Sequence, residues 1–252
     1  MNWLKVIGLG PGAEGQRTPE ATQALAEATD IIGYGPYVAR VPEHPGQRRH
    51  ATDNRQELER ARHALALAAE GARVAVVSSG DAGVFAMASA VFEALEHGPP
   101  AWRALDIAVL PGLSAMFAAA ARLGAPLGHD FCAISLSDNL KPWPLVEQRL
   151  AAAAGAGFVV ALYNPISKAR PWQLGRAFAL LRAILPGGVP VAFATAISRP
   201  EERLVLTTLA EAVPEQADMR TLVLIGTAES RLVPRGEGAR PWLYAPRSAR
   251  RA

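Results

Sequence analysis

The stretch of this 252-residue chain best equipped for chemistry is Ser78-Ser79-Gly80-Asp81-Ala82-Gly83, which follows the apolar, β-rich run 74–77 and precedes an apolar segment of helical character. Gly80 and Gly83 permit a positive φ and let backbone approach a ligand closely. The N–H groups opening a helix from about Val84 would be unpaired donors. Asp81 sets one carboxylate at the carboxyl end of the strand, where open α/β sheets bind small molecules. It is either the N-cap of an ordinary strand-to-helix connection or a group that faces a ligand. A second turn, Gly8-Leu9-Gly10-Pro11-Gly12, closes the first apolar run. It fails the dinucleotide pattern Gly-x-Gly-x-x-Gly because position 13 is Ala13 and Pro11 has no N–H, but so stiff a turn suits the lining of a cleft. Tyr34 and Tyr37, in Gly33-Tyr34-Gly35-Pro36-Tyr37, either flank a flat ligand or pack against the domain edge.

Composition narrows the classes. Half of the residues are hydrophobic, enough for one large core or two medium ones, and two are preferred on the pattern below. No uncharged apolar run reaches about 18 residues and no basic-then-apolar leader is present, which predicts a soluble cytoplasmic protein without membrane association. The formal net charge is +3, and lysine occurs only at 5, 141 and 168, so the basic side chains are nearly all arginine. Arginine grips carboxylates and phosphates with two parallel hydrogen bonds, which suits an acidic ligand. The charges are dispersed, not gathered into a basic patch interleaved with aromatics, which argues against nucleic acid. Cys132 is the single cysteine, excluding an internal disulfide or an all-cysteine cluster within one chain; it reads as a core residue. The histidines at 44, 50, 63, 97 and 129 lack metal-ligand spacing, so no metal is expected.

The elements that must position these groups alternate through the first half. Residues 3–9 read as a strand, and Thr18-Pro19-Glu20 as a helix start with hydroxyl cap, proline and early carboxylate. Residues 30–34 form a second strand, 42–49 a surface loop, and Asp53-x-x-Gln56 caps a helix to about residue 70. The strand before Ser78, a helix to about 96 and a strand over 105–110 complete a mainly parallel, helix-covered sheet. Pro111-Gly112 marks the junction, giving domains 1–111 and 112–252. Beyond it an alanine-rich helix runs from about 113 to 123, and strands read over 131–137, 157–163, 189–196, 204–208 and 221–226 with helices over 144–154 and 172–184. The strands at 204–208 and 221–226 have no long helix between them, which suggests antiparallel pairing and a mixed sheet.

Seven segments in fixed order carry a resemblance: Gly8-Leu-Gly-Pro-Gly12, Ile32-Gly-Tyr-Gly-Pro-Tyr37, Ser78-Ser-Gly-Asp-Ala-Gly-Val84, Pro111-Gly-Leu-Ser-Ala115, Ser135-Leu-Ser-Asp138 with Pro142-Trp143, Tyr163-Asn-Pro165 with Ser167-Lys168, and Leu224-Ile-Gly-Thr227. Over nearly the whole chain the sequence resembles the tetrapyrrole methylases, S-adenosylmethionine-dependent enzymes of cobalamin and siroheme synthesis. Within that family it is most similar to the ring-contracting branch that methylates C17 of a precorrin; Ala82, where many relatives have proline, is shared with that branch and with some relatives that act on RNA. The resemblance implies two α/β domains, the methyl donor folded into the cleft between them, and a homodimer. It places donor contacts at Gly80, Asp81, Ala82, Val84, Ser114, Ala115, Leu162, Tyr163, Ala196, Gly226 and Thr227, and turns Gly10, Pro11 and Gly12 toward the tetrapyrrole. Ring contraction needs a proton removed from a macrocycle hydroxyl, for which Asp81, Asp138 and Lys141 are the candidates. The acetate and propionate fringe of the substrate would pair with basic residues among Arg17, Arg40, Lys141, Lys168, Arg170 and Arg199, and Tyr34 would flank it. Some longer relatives carry an iron–sulfur cluster; with one cysteine, this chain is expected to carry none. An RNA 2′-O-methyltransferase and a non-catalytic donor-binding module are the rival readings.

Overall fold

The computed structural model describes residues 2–53, 56–167 and 169–248. It divides into two compact units, Met1–Ala115 and Met116–Ala252. The division falls after Ala115, not after Pro111, because residues 111–115 stay bound to the first unit: the Gly112 N–H donates to Asp81, and Gly112 packs on Gly8 and Gly80.

The first unit holds a five-stranded, all-parallel sheet of order β3-β2-β4-β1-β5. Its strands are β1 (Trp3–Gly8), β2 (Asp30–Tyr34), β3 (Arg48–Thr52), β4 (Arg73–Ser78) and β5 (Ile107–Leu110). Alternation divides the core between the two faces. Leu4, Val6, Val74 and Val76 pack under α3 (Glu57–Ala69) and α4 (Met87–His97). Trp3, Ile7, Ala75 and Val77 pack with α1 (Pro19–Glu27) and the short α2 (Gly35–Val38). The Thr18 hydroxyl accepts from the Ala21 N–H and caps α1 as its sequence predicts.

Three local readings change. The segment after Tyr34 coils into α2 instead of an open turn, with Pro36 pre-set for a first helical turn. Residues 48 and 49, expected as the end of a loop, join 50–52 in the edge strand β3. Its polar sequence hides it, because Arg48 and His50 turn toward the fully buried Asp30. Helix α4 starts at Met87, later than Val84, since the half-exposed Phe85 takes φ +51° and breaks the helical path. Its opening N–H groups are already used: Met87 donates to the Ser78 hydroxyl at 3.2 Å and Ala88 to the Ala82 carbonyl at 3.0 Å.

The second unit contains α5 (Ala115–Leu123), most of which lies within it, and the strands β6 (Gly124–Ala125), β7 (Phe131–Ser135), β8 (Val159–Tyr163), β9 (Pro190–Thr195), β10 (Arg203–Thr208), β11 (Thr221–Ile225), β12 (Arg231–Val233) and β13 (Trp242–Tyr244). The main sheet has order β10-β9-β11-β8-β7 and is mixed: β7 and β8 are parallel and the other three pairings antiparallel. β10 and β11 do not pair with one another; each runs antiparallel to β9, which lies between them. Helices α6 (Trp143–Gly155) and α7 (Gln173–Arg182) cover one face through Val146, Leu150, Leu174, Phe178 and Leu181. A small sheet, β12-β13-β6, completes the unit. Among the described residues no helix is long and apolar enough to cross a membrane.

Candidate active site

All five strands of the first sheet point the same way, so the turns after β1, β2, β4 and β5 gather at one edge. There Gly10 and Gly80 exchange backbone hydrogen bonds of 3.1 and 3.0 Å, each at positive φ (+70° and +67°). The turn after β5 lies against them so closely that a Cβ on Gly112 would sit 2.2 Å from the Gly80 carbonyl oxygen and 2.8 Å from the Gly8 carbonyl. Only bare backbone fits here.

Asp81 locks that junction. Its Oδ1 accepts from the Gly83 N–H at 2.8 Å, and its Oδ2 from the Gly112 N–H at 3.0 Å. One carboxylate therefore fixes its own turn and ties it to the segment after β5. The position of a Cβ on Gly80 lies 3.8 Å from the Ala115 nitrogen and 3.9 Å from the Ser114 Cα, so the bends at 80–82 and 114–115 come together. Ala82 and Ser114 are buried. What results is a wall of small residues and main chain on which an elongated, polar ligand could lie without side-chain obstruction.

The glycine-proline turn is held from behind. Arg40, just after α2, donates to the Gly10 carbonyl at 2.9 Å, the Leu9 carbonyl at 3.3 Å and the Ser79 hydroxyl at 3.1 Å. Arg40 thus works as a clamp on the turn. Tyr34 stacks edge-to-face on Tyr37, centroids 5.2 Å apart. Arg17 sits beside this clamp, lining a cavity described below.

In the second unit β8 and β9 are both antiparallel to β11 and hence parallel to one another, so Tyr163 and Ala196 close the same sheet edge. The Tyr163 hydroxyl accepts from the Met116 N–H in the first turn of α5 at 3.2 Å. Asn164, at φ +52°, is pinned by its amide to the Ser135 hydroxyl at 2.9 Å. Ala196 has φ +48°, and its N–H donates to the Arg220 carbonyl at 3.1 Å, so the start of β11 lies beside it.

Gly226 and Thr227 are not brought there. β11 runs against β9, and the Gly226 N–H bonds the Pro190 carbonyl at the opposite end. At about 3.3 Å per residue, that end is about 20 Å from Ala196. Thr227 instead shapes its own turn with Ser230. At the edge that Ala196 closes stands Thr221, a residue no motif singled out, whose hydroxyl pairs with that of Thr195 at 2.8 Å, both buried.

Asp138 and Arg170, expected as separate proton-transfer and substrate groups, are partners. Arg170 donates to Asp138 Oδ1 at 2.8 Å, also bonds the Asn139 side-chain oxygen, and the buried Gln173 amide adds a 3.0 Å bond to the same Asp138 oxygen. Asp138 does not cap α6. Lys141 is half-buried, and burial, assisted by the charge of Arg149, holds its amine below the ordinary lysine range. Lys168 lies outside the described residues.

The family model of the tetrapyrrole (corrin/porphyrin) methylases matches residues 4–213. The chain belongs to the tetrapyrrole methylase family. This methylase is 56% identical over 244 residues to a precorrin-3B C(17)-methyltransferase of Sinorhizobium sp, a match spanning 97% of this chain and 96% of that one. The crystal structure of the methyltransferase CobJ, also 56% identical, agrees with a TM-score of 0.93 over 98% of this chain and 100% of that one. A uroporphyrin-III C-methyl transferase from Thermus thermophilus, solved with S-adenyl homocysteine, shares the fold at a TM-score of 0.64 and 22% identity, over 89% of this chain and 92% of that one.

Proposed function

We propose that this methylase transfers a methyl group from S-adenosylmethionine to C17 of precorrin-3B, with ring contraction to precorrin-4 in cobalamin biosynthesis. The observation that carries the reading is the 56% identity to a precorrin-3B C(17)-methyltransferase across nearly all of both chains. S-adenosylmethionine supplies the electrophilic methyl, and an electron-rich ring carbon is the nucleophile, so no nucleophilic side chain is needed. The protein's task is alignment and exclusion of water.

Gly80, Asp81, Ala82, Ser114 and Ala115 form the donor wall of the first unit, with Val84 beside it. The wall suits a nucleotide sulfonium because its members are small and a Cβ built on Gly80 would come within 4 Å of Ser114 and Ala115. Leu162, Tyr163 and Ala196 are the donor contacts of the second unit; the edge shared by the last two supports grouping them. We leave Gly226 and Thr227 out, since they close the other edge. Gly10, Pro11 and Gly12 face the tetrapyrrole, with Tyr34 alongside.

Asp81 serves as a positioning residue, because both its oxygens already accept backbone N–H groups. Asp138 holds Arg170 and Gln173. The hydroxyl proton passes to Lys141, whose amine burial holds below the ordinary lysine range, since Asp81 and Asp138 are engaged in the bonds just given. The same reading makes the protein a cytoplasmic homodimer. Incubation with S-adenosylmethionine and precorrin-3B, followed by product mass and visible spectrum, tests it: one added methyl and the precorrin-4 chromophore are expected. Methylation of RNA in place of the tetrapyrrole, or donor binding without any transfer, overturns it.

A further inference from the structure

The turn after β1 and the segment after α2 border an open cavity of about 270 Å³ whose lining includes Gly12, Glu14, Arg17, Arg40 and Pro42. Arg17 dominates its chemistry. Its side chain is only 6% exposed, and its Nε is buried without a hydrogen-bond partner. Its remaining polar contacts are long: 3.5 Å from a terminal nitrogen to the Arg40 carbonyl and 4.0 Å to Glu14 Oε1. Glu14 is 79% exposed, so at 4.0 Å its pairing with this guanidinium is long and screened by solvent. Arg40, the second cation of the wall, is spent on the Leu9 and Gly10 carbonyls and Ser79. A buried guanidinium is stable when paired with an anion, and its planar fork matches a carboxylate.

We infer that this cavity is a carboxylate pocket in which Arg17 anchors one acetate or propionate side chain of the tetrapyrrole. The inference rests on the tetrapyrrole reading above and sharpens it: of the basic residues expected to meet the substrate fringe, Arg40 shapes the pocket, Arg170 is neutralised by Asp138, and Arg17 makes the ion pair. A carboxylate entering the pocket supplants the loose Glu14 contact. It would also lie beside the Gly10–Gly12 turn that the macrocycle faces.

The test is equilibrium binding of precorrin-3B to the full-length protein with S-adenosylhomocysteine present, so that no turnover intervenes. Arg17→Gln should raise the Kd for precorrin-3B by about ten- to hundredfold, the worth of a charged hydrogen bond, with Arg17→Lys falling between it and the wild type. Glu14→Gln, which removes the competing carboxylate, should tighten binding, a change that a purely structural Arg17 would not produce. S-adenosylhomocysteine affinity, read by calorimetry, should be unchanged in all three and certifies that they are folded. Precorrin-3B affinity within twofold of the wild type in both Arg17 variants overturns the pocket. Failure of the methyl-transfer reading appears separately, as a wild-type protein that binds precorrin-3B in an Arg17-dependent way yet yields no methylated product.

Discussion

Asp81→Asn offers the sharpest test of what the central turn is for. The carboxylate accepts two backbone N–H groups, Gly83 at 2.8 Å and Gly112 at 3.0 Å. Asparagine keeps one acceptor and turns an NH₂ donor toward the other N–H. Gly112 is half-buried and packed between Gly8 and Gly80, whereas Gly83 is exposed and can turn to water, so the asparagine oxygen goes to Gly112 and Gly83 loses its partner. A hydrogen bond to a charged group contributes about 1.5–3 kcal/mol, and Gly83 is exposed, which sets the loss near the lower end, about 1.5 kcal/mol. For a chain of this size that is a fall in Tm of about 3–6 °C. Asp81→Ala removes both bonds and should cost about 3 kcal/mol. Urea unfolding by circular dichroism and thermal scans measure the loss, and calorimetric titration with S-adenosylhomocysteine should show weaker donor binding in step with it. Were Asp81→Asn to unfold like the wild type while losing methyl transfer, the carboxylate would be a chemical group, and the bracing argument would be wrong.

Four further outcomes follow from the same geometry. Asp30 is fully buried; burial by itself would raise its carboxyl, but hydrogen bonds from Arg48, His50 and Thr29 and the Arg48 charge outweigh it and hold it below the usual range. A lowered folded pKa stabilises at pH above about 4 and is lost as pH falls through the folded value, so Asp30→Ala should cost about 3 kcal/mol at pH 7 and flatten the acid limb of a stability–pH curve. Gly112→Ala would place a Cβ 2.2 Å from the Gly80 oxygen and should destabilise by about 3 kcal/mol, measurable by urea unfolding. Thr221→Val should cost about 2–3 kcal/mol against about 1 for Thr195→Val, because the Thr221 hydroxyl also bonds the Asp218 N–H at 2.9 Å and its carboxylate at 3.0 Å; paired unfolding curves separate the two. Lys141→Gln should lower kcat about a hundredfold or more, with precorrin-3B binding retained.

Patterns confined to a few neighbouring residues were legible in the sequence. The buried strands β1, β2, β4 and β8 and the Thr18-Pro19 cap follow from local hydrophobicity and side-chain oxygens, and they stand close to where the pattern puts them. What escaped depends on partners far along the chain. β3 leaves no strand signal, and its first two residues read as loop, because Arg48 and His50 are strand residues only by virtue of Asp30 on β2. β6, β12 and β13 are two or three residues long and leave no alternation to detect. The double use of Asp81 needs Gly112, and the pairing of Asp138 needs Arg170, neither visible as a spacing. Gly226 and Thr227 fit a motif, yet strand direction alone decides which sheet edge they close, and a motif carries no direction.

The Arg40 clamp has a consequence for biogenesis. The Gly10 turn is completed by a guanidinium that emerges from the ribosome thirty residues later and by Ser79 and Gly80, which emerge about seventy residues later. During synthesis the loop at 10–12 therefore stays unfinished until β4 has docked beside β1, and the nascent chain completes this corner of the first sheet in one late step. Ribosomes stalled just short of Ser79 should display a nascent chain whose early turn is still open to proteases, while stalling well beyond Gly80 should display one that is closed.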